Sequence, residues 1–201
     1  MSKESKTKTN VGALPGVTVS ELLIGNKKTV TGYHSQEYRP TELTSPIKCI
    51  AKDAWLGPGF YFWVEEIYAQ YWGEDKKIYG KSKSFDIYSA KLNIENCLNT
   101  VFNEEHYLFF KEMIEAAINN CKSKNKKKSI SLEEVHTFLA KNVWSKLGIE
   151  GIFFDDKPTN PKNKSRVYSE IPDLYYKKRI QVVIFDTKNI KNFELYLEEQ
   201  Q

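Results

Sequence analysis

The sequence predicts an α+β domain built on a mostly antiparallel β-sheet. Three observations predict it. Strand-like stretches are many and short, and no internal repeat organises them. Irregular loops, rather than helices, separate most of these stretches. Two longer amphipathic patterns stand together between Glu104 and Leu147.

In chain order, residues 1–16 are polar and charged and then carry Gly and Pro, which predicts a flexible basic arm ahead of one domain over 17–201. Val17 to Ile24 predicts a short helix capped by Thr18 or Ser20 and ended by Gly25-Asn26. Thr29 to Tyr33 reads as a short strand with His34 at its end. Gln36 to Ala54 holds Pro40 and Pro46 and no sustained period, so it reads as loop. Gly57-Pro58-Gly59 reads as a turn set among aromatic rings. Phe60 to Val64 then reads as a strand with large rings on both faces.

Glu65 to Trp72 predicts a helix with Tyr68, Ala69 and Trp72 at helical spacing, stopped by Gly73. Glu74 to Lys83 reads as a charged surface loop. Phe85 to Ile94 alternates well enough to predict a half-buried strand, with Asn96 to Asn99 as the turn after it. Glu104 to Cys121 predicts a helix with Leu108, Phe109, Met113, Ile114, Ala117 and Ile118 on one side.

Lys122 to Lys128 is a basic run, ordinarily a solvated loop and alternatively a nucleic-acid contact. Ser131-Leu132-Glu133-Glu134 is a capping box and starts a helix that Gly148 ends. Gly151 to Phe154 is a short apolar strand, and Asp155 to Lys164 a Pro/Asn/Lys loop. Arg179 to Asp186 is a strand whose continuous apolar run predicts burial on both faces. Asn189-Ile190-Lys191 turns the chain, and Phe193 to Leu197 adds an edge strand.

Composition narrows the function. Forty per cent of the 201 residues are apolar and 13% are aromatic, enough for a sizeable core. The formal charge of +4 suits an acidic ligand or RNA without requiring either. No apolar run reaches the ~20 residues that cross a bilayer. The polar, lysine-rich start does not read as a secretory signal. Three widely spaced cysteines, Cys49, Cys97 and Cys121, argue for reduced thiols in a cytoplasm and against a disulfide framework or a zinc site. Asp155-Asp156 lacks a third ligand at metal spacing, so no metal is expected. His106 and His136 sit on helix patterns beside charged residues and read as surface.

Three pieces stand in a fixed order. Gly32-Tyr33-His34-Ser35 comes first. Gly57-Pro58-Gly59-Phe60-Tyr61-Phe62 follows, with Ala69-Gln70-Tyr71-Trp72 on the next helix. Gln181-Val182-Val183-Ile184-Phe185-Asp186 comes last, with Ile190-Lys191 behind it and Gly148-Ile149-Glu150-Gly151-Ile152 before it. This ordered set, over roughly residues 29–192, resembles the ADP-ribosyltransferase superfamily, in its diphtheria-toxin-like His-Tyr-Glu branch of small bacterial toxin domains.

The resemblance implies a split sheet with flanking helices and a helical insertion at about 103–147, and NAD as substrate. NAD carries a cationic nicotinamide on a ribose, and breaking that bond leaves an oxocarbenium-like sugar. By resemblance, His34 holds the adenosine ribose and the Ser35 backbone meets the nicotinamide amide. Gly59 and Phe60 belong to the cofactor-binding turn, Tyr61 stacks on the nicotinamide, and Trp72 closes the other side. Gln181 stands where many relatives carry glutamate and orients the nicotinamide ribose. Two departures matter. Ser35 replaces glycine, and neutral Gln181 cannot place a full negative charge beside the oxocarbenium. Glu170, in the loop before the strand, could supply that acid.

The implied activity is transfer of ADP-ribose from NAD to a macromolecule, with nicotinamide released. A cytoplasmic toxin of a toxin–antitoxin or anti-phage module is the implied setting, with an antitoxin as a partner. The acceptor is RNA, DNA or protein, and the basic balance leans toward nucleic acid. The alternatives are NAD hydrolysis, a binding module that kept the fold and lost the chemistry, and an RNA-binding toxin or nuclease that ignores NAD.

Overall fold

The computed structural model describes residues 28–78, 83–125, 129–156 and 178–198. The expected arm, the Val17 to Ile24 helix, Lys126 to Lys128, most of the Asp155 to Lys164 loop and Glu170 lie outside them. Within them the chain is α+β, with a mixed seven-stranded sheet. The strands are β1 (Thr29–Glu37), β2 (Phe60–Trp63), β3 (Phe85–Asn93), β4 (Cys97–Asn99), β5 (Gly151–Asp155), β6 (Ile180–Ile184) and β7 (Ile190–Glu198). Their order is β4-β5-β6-β2-β1-β3-β7. The β4–β5 pair is parallel and the other neighbours are antiparallel.

The connections force the sheet to curl. β3 and β4 lie five positions apart, about 24 Å in a flat sheet at ~4.8 Å per strand. Only Ile94, Glu95 and Asn96 join them, a reach of about 14 Å at ~3.5 Å per residue. The sheet therefore bends until its ends approach. Glu150 ties the closure: its N–H donates to Asn96 O at 2.9 Å and its carboxylate pairs with Lys188. Inside the curl lie Phe62, Ala90, Leu92, Cys97, Phe153, Val182 and Ile184, all nearly or wholly buried.

The helices cover the outer face. α1 (Glu66–Ile78) sets Tyr68 and Ala69 on Trp63, Phe85 and Ile87. α2 (Glu104–Asn125) and α3 (Leu132–Leu139) set Phe110, Ala117, Val135 and Leu139 on Leu98, Ile152 and Val183. α3 begins at the expected capping box: Ser131 Oγ accepts from Glu134 N, and the Glu134 carboxylate accepts from Ser131 N at 3.0 Å. It runs on through a π-helical turn, Ala140–Trp144, and a last turn, Ser145–Leu147. Gly148 ends it at φ 67°, the left-handed cap that glycine takes without strain.

Several expectations change. His34 stands within β1, not at its end, because the strand runs on to Glu37 against β3. Leu108 is exposed on α2, where Phe110 is buried instead. Gly73 does not stop α1; it is buried mid-helix, where a Cβ would run into the Phe85 ring. Asn96 to Asn99 is not merely a turn, because Cys97–Asn99 forms β4 against β5. β3 is buried along most of both faces, one under α1 and one inside the curl. His106 and His136 are each only 3% exposed, not surface residues. Among the described residues, no helix is long and apolar enough to cross a membrane.

Candidate active site

The site forms where β1 and β2 part. Their recorded register is a single pair, Tyr33↔Trp63, although β1 pairs with β3 along its whole length. Past that pair the His34 ring bridges the gap, its Nδ1 2.8 Å from Tyr61 O. Facing a carbonyl, Nδ1 carries the proton and donates, which leaves Nε2 as an acceptor. Burial pushes the His34 pKa below its ordinary value, and the smaller raising effects of the Tyr61 carbonyl and the Gln36 side chain do not offset it. The imidazole is therefore neutral at pH 7. Nε2 is buried and completes no hydrogen bond among the described residues, and the same holds for Ser35 Oγ beside it. Two buried polar atoms without partners among the described residues are costly unless water or a ligand satisfies them.

A cleft of about 420 Å³ opens at this seam, within the range of small-molecule sites. His34 and Ser35 of β1, Tyr61 and Trp63 of β2, Trp72 of α1 and Gln181 of β6 all line it. The Ile47 to Trp55 loop forms its rim, contributing Lys48 and Asp53, and Lys76 of α1 adds a second cation. Register explains the meeting. Tyr61↔Val183 and Trp63↔Gln181 are cross-strand pairs, so Tyr61, Trp63 and Gln181 share the outer face of the sheet. Two lysines against one carboxylate, with flat aromatic walls, suit an anionic ligand that carries a planar ring.

Each site side chain is held by a specific partner. The Tyr61 hydroxyl donates to Gly57 O at 2.7 Å and accepts from Leu56 N at 3.1 Å. Burial raises the phenol well above its usual range, so it stays protonated. The Gln181 side chain, 6% exposed overall, accepts at Oε1 from Trp55 Nε1 at 3.0 Å. An indole N–H can only donate, so the amide oxygen must face Trp55 and the amide NH2 is turned away from it. Trp55 is itself fixed: His136 Nε2 donates to its carbonyl at 2.9 Å, and its ring meets Phe154 edge-on at 5.0 Å. Trp72 carries the Lys76 ammonium 4.6 Å from its ring centre.

The structure brings together His34, Ser35, Tyr61, Trp72 and Gln181, and it leaves Gly59 and Phe60 outside the cleft. Gly59 bridges to Cys49 through N–H···O bonds in both directions, of 2.8 and 3.1 Å, and a Cβ there would run into Val183. Its role is to let the turn lie against β6. Phe60 is buried in the interior of the curl. Asp155 and Asp156 serve Arg179: Asp155 Oδ1 accepts from Arg179 N at 3.1 Å, and Asp156 pairs with the guanidinium at 3.1 Å. That guanidinium also lies 5.1 Å from the Trp63 ring, bracing the cleft wall from behind.

Sequence reasoning set Trp55 and Trp63 in an aromatic stretch without giving either a site role, and it missed Lys76 as a cleft residue and His136 as the support of Trp55. The available signal was Trp55 itself, a polar-tipped ring beside the Gly57-Pro58-Gly59 turn, whose N–H needs a partner when buried. No protein-family model, curated protein or solved structure matches this chain.

Proposed function

We propose that the cleft binds NAD and that the protein transfers its ADP-ribose to a macromolecular acceptor, releasing nicotinamide. One observation carries this reading: five side chains expected from widely separated stretches line a single cleft. His34 Nε2 and Ser35 Oγ, both buried and with no completed hydrogen bond among the described residues, are suited to ribose hydroxyls and amide groups. Tyr61, Trp63 and Trp72 offer faces to the nicotinamide, and Lys48 and Lys76 offer charge to the pyrophosphate.

In the reaction the bond between the nicotinamide nitrogen and ribose C1′ breaks. Its electron pair stays with nicotinamide, which leaves neutral, and the cationic charge passes to the sugar. Gln181, with its oxygen held by Trp55, donates from its amide nitrogen to a ribose oxygen and fixes the sugar for attack. The acceptor's nucleophile then bonds to C1′ and passes its proton to water. We place this activity in a cytoplasmic toxin of a toxin–antitoxin or anti-phage module, restrained by an antitoxin.

A second reading is a module that binds NAD or ADP-ribose without cleaving it. It is favoured by Asp53, the one carboxylate that lines the cleft among the described residues, being exposed. Incubating the protein with a cell lysate and NAD labelled in its adenylate half separates the readings. Label on polymer indicates transfer, and nuclease or protease digestion identifies the polymer. Free labelled ADP-ribose indicates hydrolysis, and intact bound NAD indicates the binding module.

A further inference from the structure

A second groove, of about 620 Å³, lies on the opposite side of the turn that carries Trp55 and Gly57. Its walls come from that turn, from Phe185 after β6 and from α3 with its π-helical turn. Lys48 borders both this groove and the cleft, so the two are neighbours across a single side chain. Thr137, Lys141 and Ser145 stand at successive intervals of four along the helical run and line the groove together. Pro58 and Phe185 supply apolar surface opposite. Among the described residues no carboxylate lines it, and neither Lys48 nor Lys141 makes an ion pair. Ser145 Oγ donates to Lys141 O at 3.1 Å, which leaves its lone pairs free to accept.

We infer that this groove holds single-stranded RNA and is the acceptor site of the transfer reaction. The Lys141 ammonium, with Lys48 shared between groove and cleft, matches phosphates, and the exposed Pro58 and half-buried Phe185 ring offer apolar surface to unstacked bases. The Thr137 and Ser145 hydroxyls match the 2′-OH that distinguishes RNA from DNA. The inference rests on the reading of the cleft as an NAD site for its chemistry, but not for its binding. The chemistry is the displacement described above: an RNA nucleophile bonds to C1′, nicotinamide leaves with the electron pair, and the nucleophile's proton passes to water.

Fluorescence anisotropy of a labelled 12-nucleotide single-stranded RNA, measured without NAD, tests it. The matched DNA and a glutamate-rich peptide are the comparison probes. The expected result is RNA binding at roughly 1–100 μM that weakens with salt, and weaker binding of DNA and peptide. Lys141→Glu is expected to weaken RNA binding about tenfold and Lys141→Gln to fall between, each with an unchanged melting temperature. No RNA binding, an equal or stronger affinity for DNA or peptide, or wild-type affinity in Lys141→Glu would overturn the inference. RNA binding by a protein that leaves NAD intact would instead overturn the reading of the cleft and the acceptor role with it, while the groove's RNA binding would stand.

Discussion

Trp55 Nε1 donates to Gln181 Oε1 at 3.0 Å across 126 residues of sequence, and this bond decides which end of the amide is left to face the cleft. A glutamate at the same position would accept at both oxygens. Glutamine held this way can only donate toward the cleft. Trp55→Phe keeps the ring against Phe154 but removes the donor. We expect kcat for nicotinamide release to fall about tenfold, the worth of one oriented hydrogen bond, with little change in KM or melting temperature. Steady-state kinetics and thermal melts check this.

Gln181→Glu places a carboxylate where the neutral amide sits. The Trp55 N–H can donate to it, and Lys48 and Lys76 line the same cleft. The variant is expected to stay folded and to retain or increase NAD cleavage, because a charge stabilises the developing oxocarbenium better than a dipole. Complete loss of cleavage in a folded protein would show that donation by the amide is required.

His34→Ala and Tyr61→Ala are each expected to abolish turnover without unfolding the chain. His34→Ala removes the buried Nε2 acceptor and the bridge across the β1–β2 seam. Tyr61→Phe is the milder control. It keeps the ring but loses the bonds to Gly57 and Leu56, and should cost about 1–2 kcal/mol of stability while keeping NAD affinity. Calorimetric NAD titration and thermal melts separate the variants.

Burial lowers the pKa of His34, His106 and His136 alike below the ordinary 6.5. Below pH 6.5 the unfolded chain therefore binds more protons than the folded one, and stability falls as pH falls. The melting temperature should be level from pH 7 to 8 and drop progressively from about 6.5 downward. His106→Gln should flatten part of that slope, since His106 Nδ1 accepts from Asn99 N at 2.9 Å and has no need of charge.

Gly73→Ala is expected to destabilise the fold by about 1–3 kcal/mol. On an isolated helix the same change would add about 1 kcal/mol of helix propensity. The sign reverses because the new methyl meets the Phe85 ring. A thermal or urea melt reads it directly.

These positions also show what could be read from the sequence. The strand around Tyr61, the capping box at Ser131 and the Gly148 stop are local signals, set by alternation, side-chain chemistry and backbone angle, and the structure has them in place. The Gly73 stop failed because glycine serves two purposes, ending helices and admitting a close neighbour, and only tertiary packing decides between them. β4 escaped notice because three residues carry no period; the β5 backbone, more than fifty residues on, makes Cys97–Asn99 a strand. The buried histidines misled for the same reason: the groups that satisfy them, Asn99 N and Trp55 O, lie on other elements. The gathering of His34, Ser35, Tyr61, Trp72 and Gln181 was legible through an ordered resemblance, whereas the partner that Trp55 finds in Gln181, 126 residues on, is visible only in three dimensions.

The most direct test is a crystal structure with a non-cleavable carbocyclic analogue of NAD. The account predicts the nicotinamide against Tyr61, a ribose hydroxyl on His34 Nε2, and the Gln181 amide nitrogen within hydrogen-bond distance of the adjoining ribose. An analogue bound elsewhere, or a cleft from which it is absent at saturating concentration, would contradict it.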